Sequence, residues 1–333
     1  MLKYKLRYYE QRFFKLTKNT FINHTLTIIA AIILTLISML PIGILGVVVS
    51  ALLASTIGYS VTKHHYSFVG VVCICVFLVY LIFSKDFALS TAASLPLILC
   101  GITLGITYNL KFSEFTTISV ICGIYTIYLL LNIKILGASG NDFFENVFSL
   151  SAQDYSEMIM SLYPDQFTQA EIDALISNAM SVMMKFMPSF TIIMCALMAL
   201  LMFYVFKKVL SATKKDMSFY KPFSDWHADK SFGIIFFVIL VISFFLPEQS
   251  YISDAIANVV FISLFVFYIF GLSLTDFLLK RKISSTFLRR SILILLVLFT
   301  FGTLMFAICF LGAIDSCADF RKKLQKNNLP EQE

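Results

Sequence analysis

The sequence predicts an all-α, polytopic membrane protein of about nine transmembrane helices with an outer amphipathic helical insertion. Three observations carry this. Hydrophobic residues make up 59% of the 333-residue chain and charged residues only 14%. The apolar residues come in runs of about 17 or more, as a helix crossing a bilayer needs, since lipid-exposed backbone must satisfy its own hydrogen bonds. The basic residues gather in short segments between those runs. A β-barrel predicts strict alternation in segments of about ten residues, and the chain shows none.

The first candidate helix, 24–40, follows a basic stretch, 1–23. It lacks a small-x-small cleavage site and leads straight into a second span, so it reads as an uncleaved helix rather than a signal peptide. The second candidate is 42–62. Joined to the first it makes roughly 57 Å of helix against a hydrocarbon core of about 30 Å, so Pro41 and Gly43 mark a turn. Three further runs, 66–84, 87–109 and 115–136, complete a five-helix block over 24–136. Segment 137–187 is acidic (Asp142, Glu145, Asp154, Glu157, Asp165, Glu171, Asp173) with Lys185 as its one base between 138 and 187.

Within that segment Tyr155, Met158, Ile159 and Leu162 follow an amphipathic helical stripe, as do Ile172, Leu175, Ile176, Ala179, Met183 and Phe186. Thr168 with Glu171 fits a capping box, so a helix starts there and runs into the next span with a kink at Pro188. The insertion reads either as a linker on the outer leaflet or as a lid over the apolar MLPIG turn. Four more runs, 188–206, 231–247, 255–279 and 290–314, make nine, and 315–333 is a charged tail.

Charge orients these spans. With a cytoplasmic N-terminus, the segments 1–20, 63–65, 110–114, 207–230 and 280–290 lie inside and hold most of the 26 lysines and arginines. One conflict follows. Nine spans put Arg321, Lys322, Lys323 and Lys326 outside, where a basic cluster does not belong, while eight spans repair the tail by breaking a better-supported loop.

The net charge of +6 does not indicate nucleic-acid binding, because the bases sit beside membrane spans. Cys73, Cys75, Cys100, Cys122, Cys195 and Cys309 lie in apolar runs and Cys317 just outside one, with neither disulfide nor zinc spacing. No phosphate-binding loop, zinc-protease motif or nucleophile elbow is present. The expectation is a protein that is not an enzyme, has no cofactor and no metal, and whose first partner is the lipid bilayer.

Several residues stand out. Gly46, Ser50, Ala54 and Gly58 recur every four residues, a face that either packs inside the protein or docks a partner subunit. Asn132 and Lys134 lie near the outer end of the fifth span. Lys134 either snorkels or forms, with Asn132 and Asp315, an outer polar site for an anionic solute. Asp276 with Lys280, and Asp319 with Lys323, have the spacing of local helical pairs. His64 and His65 point apart at a turn, and Trp226 suits an interfacial anchor.

LPIGILGVVVSALLA, MPSFTIIMCALMALLMFYVF and the closing LGAIDSCADFRKK, in that order, resemble the YybS-like family of uncharacterised bacterial inner-membrane proteins. Gly312, Asp315, Asp319 and Arg321 are similar to that family's ending. The family is in turn distantly similar to the substrate-binding S components of energy-coupling-factor transporters. The resemblance implies a solute-binding core in the bacterial inner membrane, docked through small residues to a membrane coupling subunit and separate ATPases, with the solute unnamed. The small face here is on the second helix, whereas S components use their first. The other reading is a non-transporting scaffold or assembly factor with the outer helices as its interaction surface.

Overall fold

The computed structural model describes residues 24–40, 44–63, 66–135, 155–162, 168–247, 250–299 and 303–326. Among them every regular element is helical. The helices are α1 (His24–Ser38), α2 (Ile44–Val61), α3 (Tyr66–Ser84), α4 (Phe87–Asn109), α5 (Glu114–Ile135), α6 (155–162), α7 (Gln169–Ala212), α8 (Lys230–Phe245), α9 (Tyr251–Lys280), α10 (Thr286–Phe299), α11 (Thr303–Ala318) and α12 (Phe320–Lys326). A 3-10 turn, Phe223–Asp225, precedes α8. Six of them (α2, α3, α4, α5, α7 and α9) are long and apolar enough to cross a membrane. Pro41, Gly43, His64 and His65 lie outside the described residues, and so does most of the insertion before α6.

Local chemistry sets the helix ends. Asp86 caps α4 by accepting from the amides of Ala88 and Leu89 at 2.7 and 3.2 Å, and Ser250 caps α9 through Ser253. The predicted capping box is formed: Glu171 accepts from the Thr168 amide at 2.8 Å. Lys85, Lys111 and Lys214 hold the left-handed conformation that usually calls for glycine at a helix exit. There a cation also complements the negative end of the helix dipole. Inside the helices, hydroxyls such as those of Thr35, Ser55 and Ser94 donate to carbonyls four residues back, leaving no bare donor for lipid.

The chain forms two compact units, 1–137 with 194–220, and 138–193 with 221–333. The boundary falls inside α7, whose first part belongs to the second unit and whose second part belongs to the first. The first unit is centred on α2 against α4. A β-carbon on Gly101 would lie 2.7 Å from the Ala54 carbonyl, and one on Gly105 2.5 Å from that of Gly58, so glycine permits backbone to meet backbone. Ser55 reaches the Met202 carbonyl of α7, and Ser38 shares a hydrogen bond with Tyr80. At one end Asn109 donates to Val61, Lys215 to Thr62, and Tyr108 to Asp216. The segments after α2, α4 and α7, expected on one face, therefore do share one end of this unit.

The second unit corrects the ninth expected span. Residues 290–314 do not run as one crossing helix, because α10 leads away from one end of the unit and α11 leads back to it. α10 starts beside the end of α9, where Arg289 lies 3.6 Å from Asp276. α11 finishes at that same end, where Ser316 meets Gly233 of α8 and Asp315 holds the Arg321 that reaches Ser273 of α9. The pair leaves one end of the unit and returns to it. The tail therefore stands with the basic segments 221–230 and 280–290 at one end of this unit rather than opposite them.

The core of this unit is aromatic. Phe267 packs on Phe236 and Phe232 at 4.8 and 5.2 Å between ring centroids, with Ala228, Phe270, Cys309 and Ala313 buried around them. α9 and α11 cross where Gly271 meets Ile308 and Gly312 meets Phe267. A β-carbon on either glycine would fall 2.1 or 2.2 Å from a carbonyl oxygen of the other helix.

Candidate functional site

Buried polar groups in a membrane protein are the first place to look for function. The densest set in the second unit surrounds Arg321. Asp319 is non-glycine yet left-handed, with φ 50°, and its amide donates to the Asp315 carbonyl. That turn folds α12 back, so Arg321 enters the unit instead of solvent. Its Nε donates to Asp315 Oδ2 at 2.9 Å, one terminal nitrogen donates to the Ser224 carbonyl, and the other to Ser273 Oγ at 3.2 Å. The guanidinium also lies 5.7 Å from the centroid of the Phe277 ring.

The acceptors are themselves held. Ser273 Oγ lies 2.6 Å from the Phe223 carbonyl and 2.7 Å from that of Trp226, so its single proton bonds there while its lone pairs face Arg321. Ser224 is 2% exposed, Asp315 4% and Arg321 8%. Asp315 Oδ1 has no hydrogen-bond partner. A carboxylate this deep needs a cation, since losing one partner of such a pair costs about 3–5 kcal/mol. Asp319, exposed, pairs with Lys322 at 2.9 Å, and that hydrogen bond holds its carboxyl below the ordinary range.

A second polar device lies where α7 and α9 meet. Pro188 has no amide hydrogen and its ring disturbs the preceding turn. The Ser189 amide donates to Asn258 Oδ1 at 3.1 Å. The Lys185 carbonyl accepts from Asn258 Nδ2 at 2.9 Å, so one side-chain amide of α9 ties α7 on both sides of Pro188. The Ser189 hydroxyl also contacts Asn258 Oδ1, and Lys185 pairs with Asp254 at 2.7 Å.

In the first unit Glu114, Thr117 and Tyr220 are all at most 5% exposed, and Lys207 lies 5.5 Å from the Tyr220 ring centroid. Burial raises the Tyr220 phenol above its usual range. Composition singled out neither this cluster nor Asn258. The signal for Asn258 was an amide in the apolar run 255–279, opposite the predicted kink.

The residues expected from sequence separate. Ala54 and Gly58 are fully used by α4, where a β-carbon on Gly58 would sit 2.9 Å from the Gly101 carbonyl. That half of the expected docking face is internal packing. Gly46 and Ser50 are only half-buried, and a β-carbon on Gly46 meets nothing closer than 3.9 Å. Asn132 donates to the Tyr128 carbonyl one turn back, and the side chain of Lys134 lies outside the described residues. The Asp315 carboxylate binds Arg321 at the end of the second unit that carries its basic segments. Asp276 pairs with Arg289 rather than Lys280, and Asp319 with Lys322 rather than Lys323. Of the expected ending, Gly312, Asp315, Asp319 and Arg321 all take part in one structure, the crossing and the fold-back. Trp226 is half-buried against Phe223.

Against protein-family models, residues 28–316 match the family described as predicted membrane protein (DUF2232). The chain belongs to that family. Its members are membrane proteins by description, in keeping with the six spanning helices. Neither the curated proteins nor the solved structures contain a match. No group of three or more His, Cys, Asp or Glu placed to hold a metal occurs among the described residues.

Proposed function

We propose that this DUF2232 protein is the solute-binding membrane subunit of a transporter energised by partner proteins. It sits in the bacterial inner membrane with its N-terminus cytoplasmic, and it performs no enzymatic step of its own. The observation that carries the reading is the α10–α11 pair, which goes out and returns to one end. A helix pair that turns back instead of crossing is tolerated at membrane depth where protein buries it or where it lines a cavity, and transporters build sites from helices that do not cross whole. Pro188 inside the continuous α7, with Asn258 beside it, supports the same reading. The orientation rests on the basic segments, which in the second unit now include the tail.

A membrane coupling subunit would dock on the free half of the small face, Gly46 and Ser50, and ATPases would follow it. The test is gentle purification from the native membrane with mass spectrometry of proteins and small molecules retained. A coupling subunit and ATPase lost on Gly46→Leu, together with a retained solute, supports transport. Recovery of neither, with intact binding to assembly proteins, establishes the scaffold instead. Gly58→Leu is the control, because it disturbs the α2–α4 crossing itself.

A further inference from the structure

We propose that Asp315, Ser273, the Ser224 carbonyl and the face of Phe277 form a binding site for a guanidinium-bearing ligand, which Arg321 of the chain's own α12 occupies in cis. The acceptors are fixed parts of the fold. Ser273 and Phe277 belong to α9, Ser224 to the 3-10 turn before α8, and Asp315 to α11, all elements of the packed aromatic core. Ser273 is oriented by the carbonyls of Phe223 and Trp226, which do not involve Arg321. The acceptors therefore stand ready whether or not α12 is in place.

The occupant is held differently. Among the described residues α12 runs seven residues, and Pro330 in the sequence limits it to well under the dozen or so that a helix needs to be stable alone. Lys322 and Lys323 on it are exposed, and Phe320 is 37% exposed. Arg321 is its one buried side chain among those described. The link through Asp319 is left-handed, a conformation costing a non-glycine residue about 1 kcal/mol or more.

The chemistry selects the ligand. Three acceptors lie in a fan around one planar group, and an aromatic ring faces it. That matches the fork of a guanidinium, whereas an ammonium is compact and more strongly hydrated. Asp315 Oδ1, buried and without a hydrogen-bond partner, offers a further acceptor that Arg321 does not use. When α12 withdraws, Asp315 is left as a buried carboxylate without its cation, so tail release and ligand entry become one exchange. This holds whether or not the protein moves a solute.

The wild-type protein in lipid nanodiscs tests it by hydrogen–deuterium exchange of 320–326, with methylguanidinium as the probe. Methylammonium and sodium at equal ionic strength are the controls. At about ten times its dissociation constant, a ligand that binds only the tail-released state raises that state about tenfold, so exchange in α12 rises saturably while the aromatic core stays protected. A second arm uses Arg321→Ala, whose lowered thermal midpoint methylguanidinium raises saturably. The double variant with Asp315→Asn loses that response. Exchange in α12 that is the same in all three cations, or that rises only as the core also begins to exchange, overturns the proposal and leaves the Arg321 contacts as packing alone.

Discussion

Gly271 and Gly312 let two helices touch backbone to backbone, and no side chain can move aside there because the opposing atoms are carbonyls. Alanine at either position is expected to cost about 2–3 kcal/mol, the upper range for overpacking. Gly70 and Gly123 have nothing within 4 Å of where a β-carbon would stand, so alanine there is neutral or gains up to about 1 kcal/mol of helix propensity. Thermal midpoints of the four single variants in one detergent read the contrast. Asp319 gives a second expectation. Its carboxyl is lowered first by the Lys322 hydrogen bond, with the charges of Lys322, His227 and Lys230 adding to it, so its tie to the tail is complete above the ordinary aspartate range of about 4. The tie is lost as pH falls through the lowered value. The Lys322 contribution to α12 protection is thus flat from neutral pH to about 5 and falls only in stronger acid, and Asp319→Asn removes that acid limb. Sequence marked Asp319, Asp315 and Arg321 as an ending but paired the charges wrongly. An i, i+4 rule sees only the same helix, while the left-handed Asp319 breaks the register and Arg289 arrives from another helix.

At the level of elements, the bridge at Pro188 makes α7 depend on α9. Asn258→Leu leaves the Ser189 amide and Lys185 carbonyl without their partner, at about 1–3 kcal/mol. Adding Pro188→Ala supplies an amide for the Met184 carbonyl, so the double variant recovers part of that loss, and a double-mutant cycle by thermal denaturation measures the coupling. The cap at Thr168 and the helices through α5 were legible in sequence because caps and apolar runs are local signals. The return of α11 to the end where α10 starts was not. In sequence the apolar run continues through Thr300, Phe301 and Gly302, and hydropathy sums over a reversal of direction that only the packing of α11 on α9 reveals.

At the scale of a whole unit, charge predicted that 221–230 and 280–290 share an end of the second unit, and the tail joins them there. Ser284→Cys and Lys323→Cys, both exposed positions, are expected to react with an impermeant thiol reagent from the same side, in a background with Cys317 replaced by serine. Reaction from opposite sides would place a full span between α9 and the tail and contradict the hairpin.

The short helices also set how thick a membrane this protein fits. α8 has 16 residues, about 24 Å, and on α9 the polar ties at Asn258 and Ser273 bracket an apolar stretch of roughly 21 Å. Each is narrower than a typical hydrocarbon core of about 30 Å, so lipid around the second unit must thin to meet it. Thermal midpoints in bilayers of increasing acyl-chain length are expected to peak at the short end of the series. A cell that thickens its membrane would then load this unit with mismatch energy, making bilayer composition itself a pressure on where the hairpin sits.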